Sequence, residues 1–248
     1  MNVIYILWLR QLKRSSRARA RIIASFGQPL LFLLAFGFGF GSMFQRAGQG
    51  NYIQFLAPGV ITMSVLFTSI FSGIEVIWDR QFGFLKETLV APVPRILIMI
   101  GRTLGGATVS VLQGVAVFCI CLAVGFRMPS LTLLPLAFVF LILTALLFTA
   151  VGTALGCLLP DFQGFQLVMN FLVMPVFFLS GALFPLTNVP RALSIIATLD
   201  PLSYSVDGLR YALIGVTHFG VLLDLSVLAV VTAVVLTLGG YVFSKIQI

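Results

Sequence analysis

The side chains able to do chemistry are few, and their spacing excludes more than it suggests. The 248 residues hold one histidine, His218, three lysines, Lys13, Lys86 and Lys245, and seven carboxylates. No lysine follows a Gly-x-x-x-x-Gly loop, so a phosphate-cradling loop is not encoded and ATP cannot be hydrolysed by that route. Cys119, Cys121 and Cys157 lie within or beside apolar runs. They form neither a CxxC motif nor a Cys/His cluster, so metal and disulfide readings fail. His218 has no carboxylate or nucleophile constellation near it in sequence and reads as an interfacial polar residue. The expectation is a protein that is not an enzyme and carries no catalytic residue, metal or cofactor of its own.

Two stretches carry more pattern than connectors need. In the first, residues 78–95, Phe82, Leu85 and Leu89 are spaced i, i+3, i+7 and form one apolar stripe, with Asp79, Lys86 and Glu87 around it. Pro92 and Pro94 end that short helix. An amphipathic helix of this kind lies on lipid or fits a groove on a partner. In the second, residues 185–210, Pro185, Pro190 and Pro201 cut an apolar segment into pieces too short to span a bilayer. Pro190 and Pro201 suit the first turns of two helices, and Asp200 suits the N-cap of the second. Two readings stand: helices resting on the interface, or a re-entrant hairpin covered by protein.

The elements that position these stretches follow from composition. With 60% hydrophobic and 9% charged residues and a mean hydropathy of +1.12, the chain departs far from soluble domains, which run at roughly 45–50% and roughly 25%. Charge-free apolar runs at about Ile22–Phe44, Phe55–Ile74, Leu104–Phe126, Leu133–Cys157, Leu167–Phe184 and Leu225–Phe243 are each long enough to cross the hydrocarbon core. The prediction is a single all-α transmembrane domain over residues 1–248 with six spans. The span centres lack Asp, Glu, Lys, Arg and His, which argues against a proton relay.

The net charge of +8 is concentrated at the N-terminus: seven basic residues and no acid precede Glu75. On a helix over residues 3–21, Arg10, Lys13, Arg14, Arg17 and Arg21 share one face, opposite Tyr5, Trp8, Leu9 and Leu12. This predicts an amphipathic helix in the interface (1–21) with its basic side toward anionic headgroups. A plain positive flank before the first span is the alternative. Anionic lipid suits these cations in so apolar a chain, and no nucleic-acid partner is expected. Eleven basic residues fall inside and four outside when both termini are cytoplasmic, which fixes the orientation. In Phe36-Gly37-Phe38-Gly39-Phe40-Gly41, Gly37 and Gly41 share a helix face and would permit close helix packing; an aromatic, substrate-facing segment is the other reading.

The run from Asp79 to Arg95, with Gly83, Glu87 and the ending Leu-Val-Ala-Pro-Val-Pro-Arg, resembles the first intracellular loop of ABC-2 type transporter permeases. The segments Leu179-Ser180-Gly181-Ala182-Leu183-Phe184-Pro185 and Asp200-Pro201-Leu202-Ser203-Tyr204-Ser205-Val206-Asp207-Gly208-Leu209-Arg210 are similar to that family's outer region before the last helix. The likeness covers nearly the whole chain, with drug-resistance, nodulation-factor and polysaccharide exporters nearest in character. It departs at Asp79-Arg80-Gln81, where members often carry a Glu-Arg-Glu-like run, and at Asp200, where Asn is more usual.

The resemblance implies a transporter subunit in a bacterial inner membrane. Two copies would pair, and separately encoded ATPase subunits holding ATP and Mg would dock on Asp79, Phe82, Gly83, Leu85, Glu87 and Leu89. Export of an amphiphilic drug, lipid or lipid-linked glycan would pass spans one, two and five. An outer gate would involve Gly181, Pro185, Pro201, Tyr204, Asp207 and Arg210. From the residues themselves, Phe32, Phe36, Phe40, Phe177 and Phe178 are candidates for an aromatic path, or for faces turned to lipid. A secondary transporter or channel uncoupled from ATP is the competing class.

Overall fold

Where hydrocarbon replaces water, each backbone amide must find its partner inside its own segment, so long apolar runs become helices. The computed structural model describes residues 3–46, 50–84, 93–187 and 189–244, and every regular element among them is helical. The N-terminal helix α1 (Val3–Arg17) is followed by α2 (Arg19–Gly39) and the short α3 (Gly41–Arg46). Next come α4 (Tyr52–Phe71), α5 (Ile74–Gln81), α6 (Arg95–Val124) and α7 (Leu134–Leu158). Helix α8 (Phe162–Val168) runs through a π-helical stretch, Met169–Val173, into α9 (Met174–Leu179). The chain ends with α10 (Arg191–Leu199), α11 (Pro201–Ile214) and α12 (Val221–Ser244).

Six helical segments are long and apolar enough to cross a membrane: Ile22–Gly39, Tyr52–Gln81, Arg95–Val124, Leu134–Leu158, Phe162–Leu179 and Val221–Phe243. These are the six expected spans with shifted ends. Span two begins at Tyr52, where Asn51 Oδ1 accepts the Ile53 N–H at 3.0 Å, and continues past a break at Ser72–Gly73 into α5. Span three begins at Arg95, nine residues before Leu104, because Arg102 is neutralised inside the protein rather than left to water. The basic helix also ends early. The chain breaks at Ala18 (φ −87°, ψ 58°), so Arg21 belongs to the helix of span one and its side chain lies outside the described residues.

Span two is the axis of the bundle, with 83% of its window buried against 17% for spans one and six and 22% for span five. Spans three and four and α11 pack around it. Glycines set its closest crossings. A Cβ on Gly73 would sit 1.9 Å from the Gly152 carbonyl oxygen, and one on Gly156 would sit 2.3 Å from that of Gly73. Spans two and four therefore touch backbone to backbone. By contrast, of the pair Gly37 and Gly41, only Gly37 meets a neighbour within this chain, the Ile53 side chain.

Candidate functional site

At one end of the bundle the candidate residues are built on α1, α5 and α6. Trp8 donates its indole N–H to Thr108 Oγ1 at 3.0 Å. Gly101 and Gly105 of span three supply the seat, where a Cβ would lie 3.0 Å from Leu7 Cβ and 2.5 Å from Gln11 Cβ respectively. So seated, α1 points Arg10 and Arg14 at Asp79, at 3.4 and 3.3 Å. Arg14 also lies 3.7 Å from Glu75 and 5.7 Å from the Trp78 ring centre. Arg102 binds the other Asp79 oxygen at 2.5 Å.

This arrangement differs from the sequence reading in two respects. Asp79, expected on the docking surface, is 4% exposed, because three guanidinium groups draw it into the protein. Arg10 and Arg14, expected at headgroups, face that carboxylate; Lys13 and Arg17 remain exposed. Arg102 and Asp224, near the ends of spans three and six, are 9% and 0% exposed. Nothing in the sequence singled out Arg80. It donates to the carbonyls of Gly156, Cys157 and Leu159 at 3.3, 2.6 and 3.2 Å. A cation there satisfies the orphan carbonyls at the end of span four and complements its dipole.

Beyond α5, Phe82 is 73% exposed and Phe84 50%, and Gly83 turns the chain with φ +79°. Leu85, Glu87 and Leu89 lie outside the described residues. The phenylalanines and α1 line an open groove of about 590 Å³, to which Ile6, Leu9, Arg10, Lys13, Arg14 and Arg17 contribute.

Within the membrane, the five candidate phenylalanines belong to one aromatic series. Phe177 lies 6.1 Å from Phe67, 6.1 Å from Phe32 and 5.4 Å from Phe178, centre to centre. Phe32 is followed by Phe36 at 5.2 Å and Phe40 at a further 5.6 Å. The series then reaches Tyr52 at 6.5 Å and Phe55 at 6.2 Å. Phe177 is 1% exposed, whereas Phe40 and Phe178 are 49% and 41% exposed. The ladder thus runs along the contact of spans one, two and five with an open side.

Its end at Tyr52 and Phe55, away from α1, meets the segment before the last span. The Arg210 guanidinium lies 4.0 Å over the Phe55 ring and donates to the Gly181 carbonyl at 2.9 Å. The Tyr52 hydroxyl donates to the Leu183 carbonyl at 2.7 Å. Gly181 needs its left-handed backbone (φ +73°) in this turn. Pro185, in the loop that follows, is half-buried. Asp200 Oδ1 accepts the Leu202 N–H at 2.8 Å, capping α11 with Pro201 at its first position. Tyr204 donates to the Thr198 carbonyl at 2.7 Å, tying α11 to α10. Asp207 accepts from the Thr217 hydroxyl at 2.9 Å and from the His218 and Phe219 N–H groups at 2.8 Å each, closing the turn into span six.

Both expected outer helices are present, but their environments differ. In α10 only Ala197 is buried, whereas α11 is buried from Leu202 through Arg210. At fourteen residues, α11 is about 21 Å long, short of a ~30 Å core. Burial pushes the Asp200 carboxyl up to about 7, against the pull of the Leu202 and Ser203 donors. It lowers Arg210 to about 10, while Asp207 pulls the other way.

The model of the family described as ABC-2 type transporter matches residues 2–214. The chain belongs to the ABC-2 type transporter family. This permease is 33% identical over 218 residues to a protein named transport permease ycf38 of Cyanophora paradoxa, covering 84% of this chain and 73% of that one. It is 30% identical over 225 residues to the inner membrane transport permease YadH of Escherichia coli K12, covering 87% of each. It is also 30% identical over 217 residues to nodulation protein J of Rhizobium leguminosarum bv. trifolii, covering 85% and 78%. An ABC-2 permease is a membrane transport subunit rather than an enzyme. The six apolar helices and the likeness to an inner membrane permease fit a multi-pass protein of that membrane.

Proposed function

We propose that this chain is the membrane half of an ATP-driven exporter, working as two identical copies with separately encoded ATPase subunits. Both termini would face the cytoplasm, and ATP and Mg would be held on the ATPases. The observation that carries the reading is the groove at the cytoplasmic end. An exposed aromatic pair, Phe82 and Phe84, stands beside a row of cations and directly precedes the amphipathic stretch at Leu85 and Leu89. A partner with an apolar ridge and acidic flanks complements it.

Movement of that partner would act on α5. Through Asp79 and Arg80, α5 is bonded to α1, span three and span four together. Energy would enter mechanically and open a way along the aromatic ladder, with the Gly181–Arg210 contact closing its outer end. An amphiphilic drug, lipid or lipid-linked glycan suits such a lining. The test is co-expression with a candidate ABC ATPase subunit. Phe82→Asp with Phe84→Asp, and separately Leu85→Asp with Leu89→Asp, should abolish co-purification while membrane insertion stays intact. Undiminished co-purification of both double variants would overturn the assignment.

A further inference from the structure

Between spans one, two and three, beneath α1, lies a cavity of about 440 Å³, a common size for a small-molecule site. It is distinct from the cytoplasmic groove and joins the aromatic ladder only at Phe67, which lines the cavity and contacts Phe177. Its lining mixes apolar side chains, Phe67 and Trp78 among them, with the polar side chains of Ser25, Ser64, Ser72 and Gln113.

The polar side chains have a defined hydrogen-bonding sense. Each serine hydroxyl donates to a carbonyl of its own helix: Ser25 to Ile22 at 2.7 Å, Ser64 to Ile61 at 2.7 Å and Ser72 to Ser69 at 2.6 Å. Their lone pairs remain as acceptors. Gln113 is 8% exposed, and its side-chain nitrogen has no hydrogen-bond partner. A buried amide donor lacking a partner requires an explanation, and its residue is one of those lining the cavity. Among the described lining residues there is no Lys or Arg. The one charged residue is Glu75, whose carboxylate lies 3.7 Å from Arg14. Among the described lining residues an anionic headgroup would find no counter-charge.

We propose that the cavity binds the uncharged, hydroxyl- or amide-bearing head of an amphiphile. Gln113 donates to the head, the serine hydroxyls accept from it, and the aliphatic part lies on Phe67 and Trp78. This deepens the transport reading and rests on it for where the ligand goes next, but not for its binding. A glycolipid of the bilayer and an amphiphile arriving from the cytoplasm share the chemistry.

Trp8 and Trp78 are the two tryptophans of the chain, so Trp8→Phe leaves an emitter in the cavity wall. The full-length variant, held in phosphatidylcholine nanodiscs, is titrated with three brominated quenchers: dodecyl maltoside added from water, a diacyl monoglucosyl lipid in the bilayer, and phosphatidylglycerol. Saturable quenching is expected from at least one sugar-headed probe. The maltoside alone would point to the cytoplasm as source and the glycolipid to the bilayer. Gln113→Leu should raise the half-saturating concentration about tenfold, and Ser64→Ala should shift it less in the same direction. Equal quenching by phosphatidylglycerol, or curves that do not respond to either substitution, would make the cavity a lipid-filled crevice and overturn the proposal. No ATP or ATPase enters the measurement, so its failure is distinguishable from failure of the exporter reading.

Discussion

Asp79 is a carboxylate buried among three guanidinium groups. Asp79 was legible as a charge at a span end, but its partners Arg10, Arg14 and Arg102 come from two other helices, and only tertiary structure joins them. Asp200 was legible more fully, because an N-cap depends on neighbours within three positions. Its burial adds a property that spacing does not encode. The folded chain holds the Asp200 proton up to about pH 7, against an ordinary value of 3.8. Between those values the folded state binds more protons than the unfolded one, so stability should fall as pH rises across the window and level off above it. Asp200→Asn keeps the cap and removes the titration. Thermal melting of both proteins from about pH 4.5 to 8 should show a shallower slope in the variant than in the parent; an undiminished slope in the variant would place the titrating group elsewhere.

Helices were legible wherever apolar runs were free of charge. Their seats were not, because a glycine reveals nothing about what approaches it. The alternating Phe-Gly run drew notice, yet Gly41 meets nothing within 4 Å, while Gly105 admits Gln11 where a methyl group would collide. Gly105→Ala should therefore loosen α1 from span three and lower the melting temperature, at a cost of about 1–3 kcal/mol typical of overpacking. Gly41→Ala should leave the single chain as stable as before. Limited proteolysis between α1 and span one checks the same point: faster cleavage is expected for the first variant alone. The early break at Ala18 has a similar origin. Residues 3–21 form one amphipathic pattern in sequence, but the chain must turn there to carry span one away from a helix already seated on span three.

Six spans, a separate N-terminal helix and a pair of short helices before the last span could all be read from composition and periodicity. The aromatic ladder could be read only as isolated phenylalanines until spans one, two and five came together. Its open side has a consequence for the assembled protein. Phe171, on span five, is 80% exposed, and the proposed pairing would bring that span against a second copy. With Cys119, the exposed native cysteine, replaced by serine, Phe171→Cys should cross-link two copies in membranes. Leu238→Cys on span six, also exposed at 59%, should not. Cross-linking at span six alone would place the pairing face on the opposite side of the bundle.

The ion pairs of the N-terminal helix also bear on the order of synthesis. Trp8 and its partner Thr108 are 100 positions apart, and Asp79 lies 65 and 69 positions beyond Arg14 and Arg10. A chain made from its N-terminus delivers those arginines long before their acceptors exist. Until span two arrives those side chains lack Asp79, and anionic headgroups would be the counter-ions at hand. When Asp79 and span three follow, the same side chains would exchange phosphate for carboxylate. One set of arginines would thus first anchor a nascent segment, and it then fastens the finished bundle.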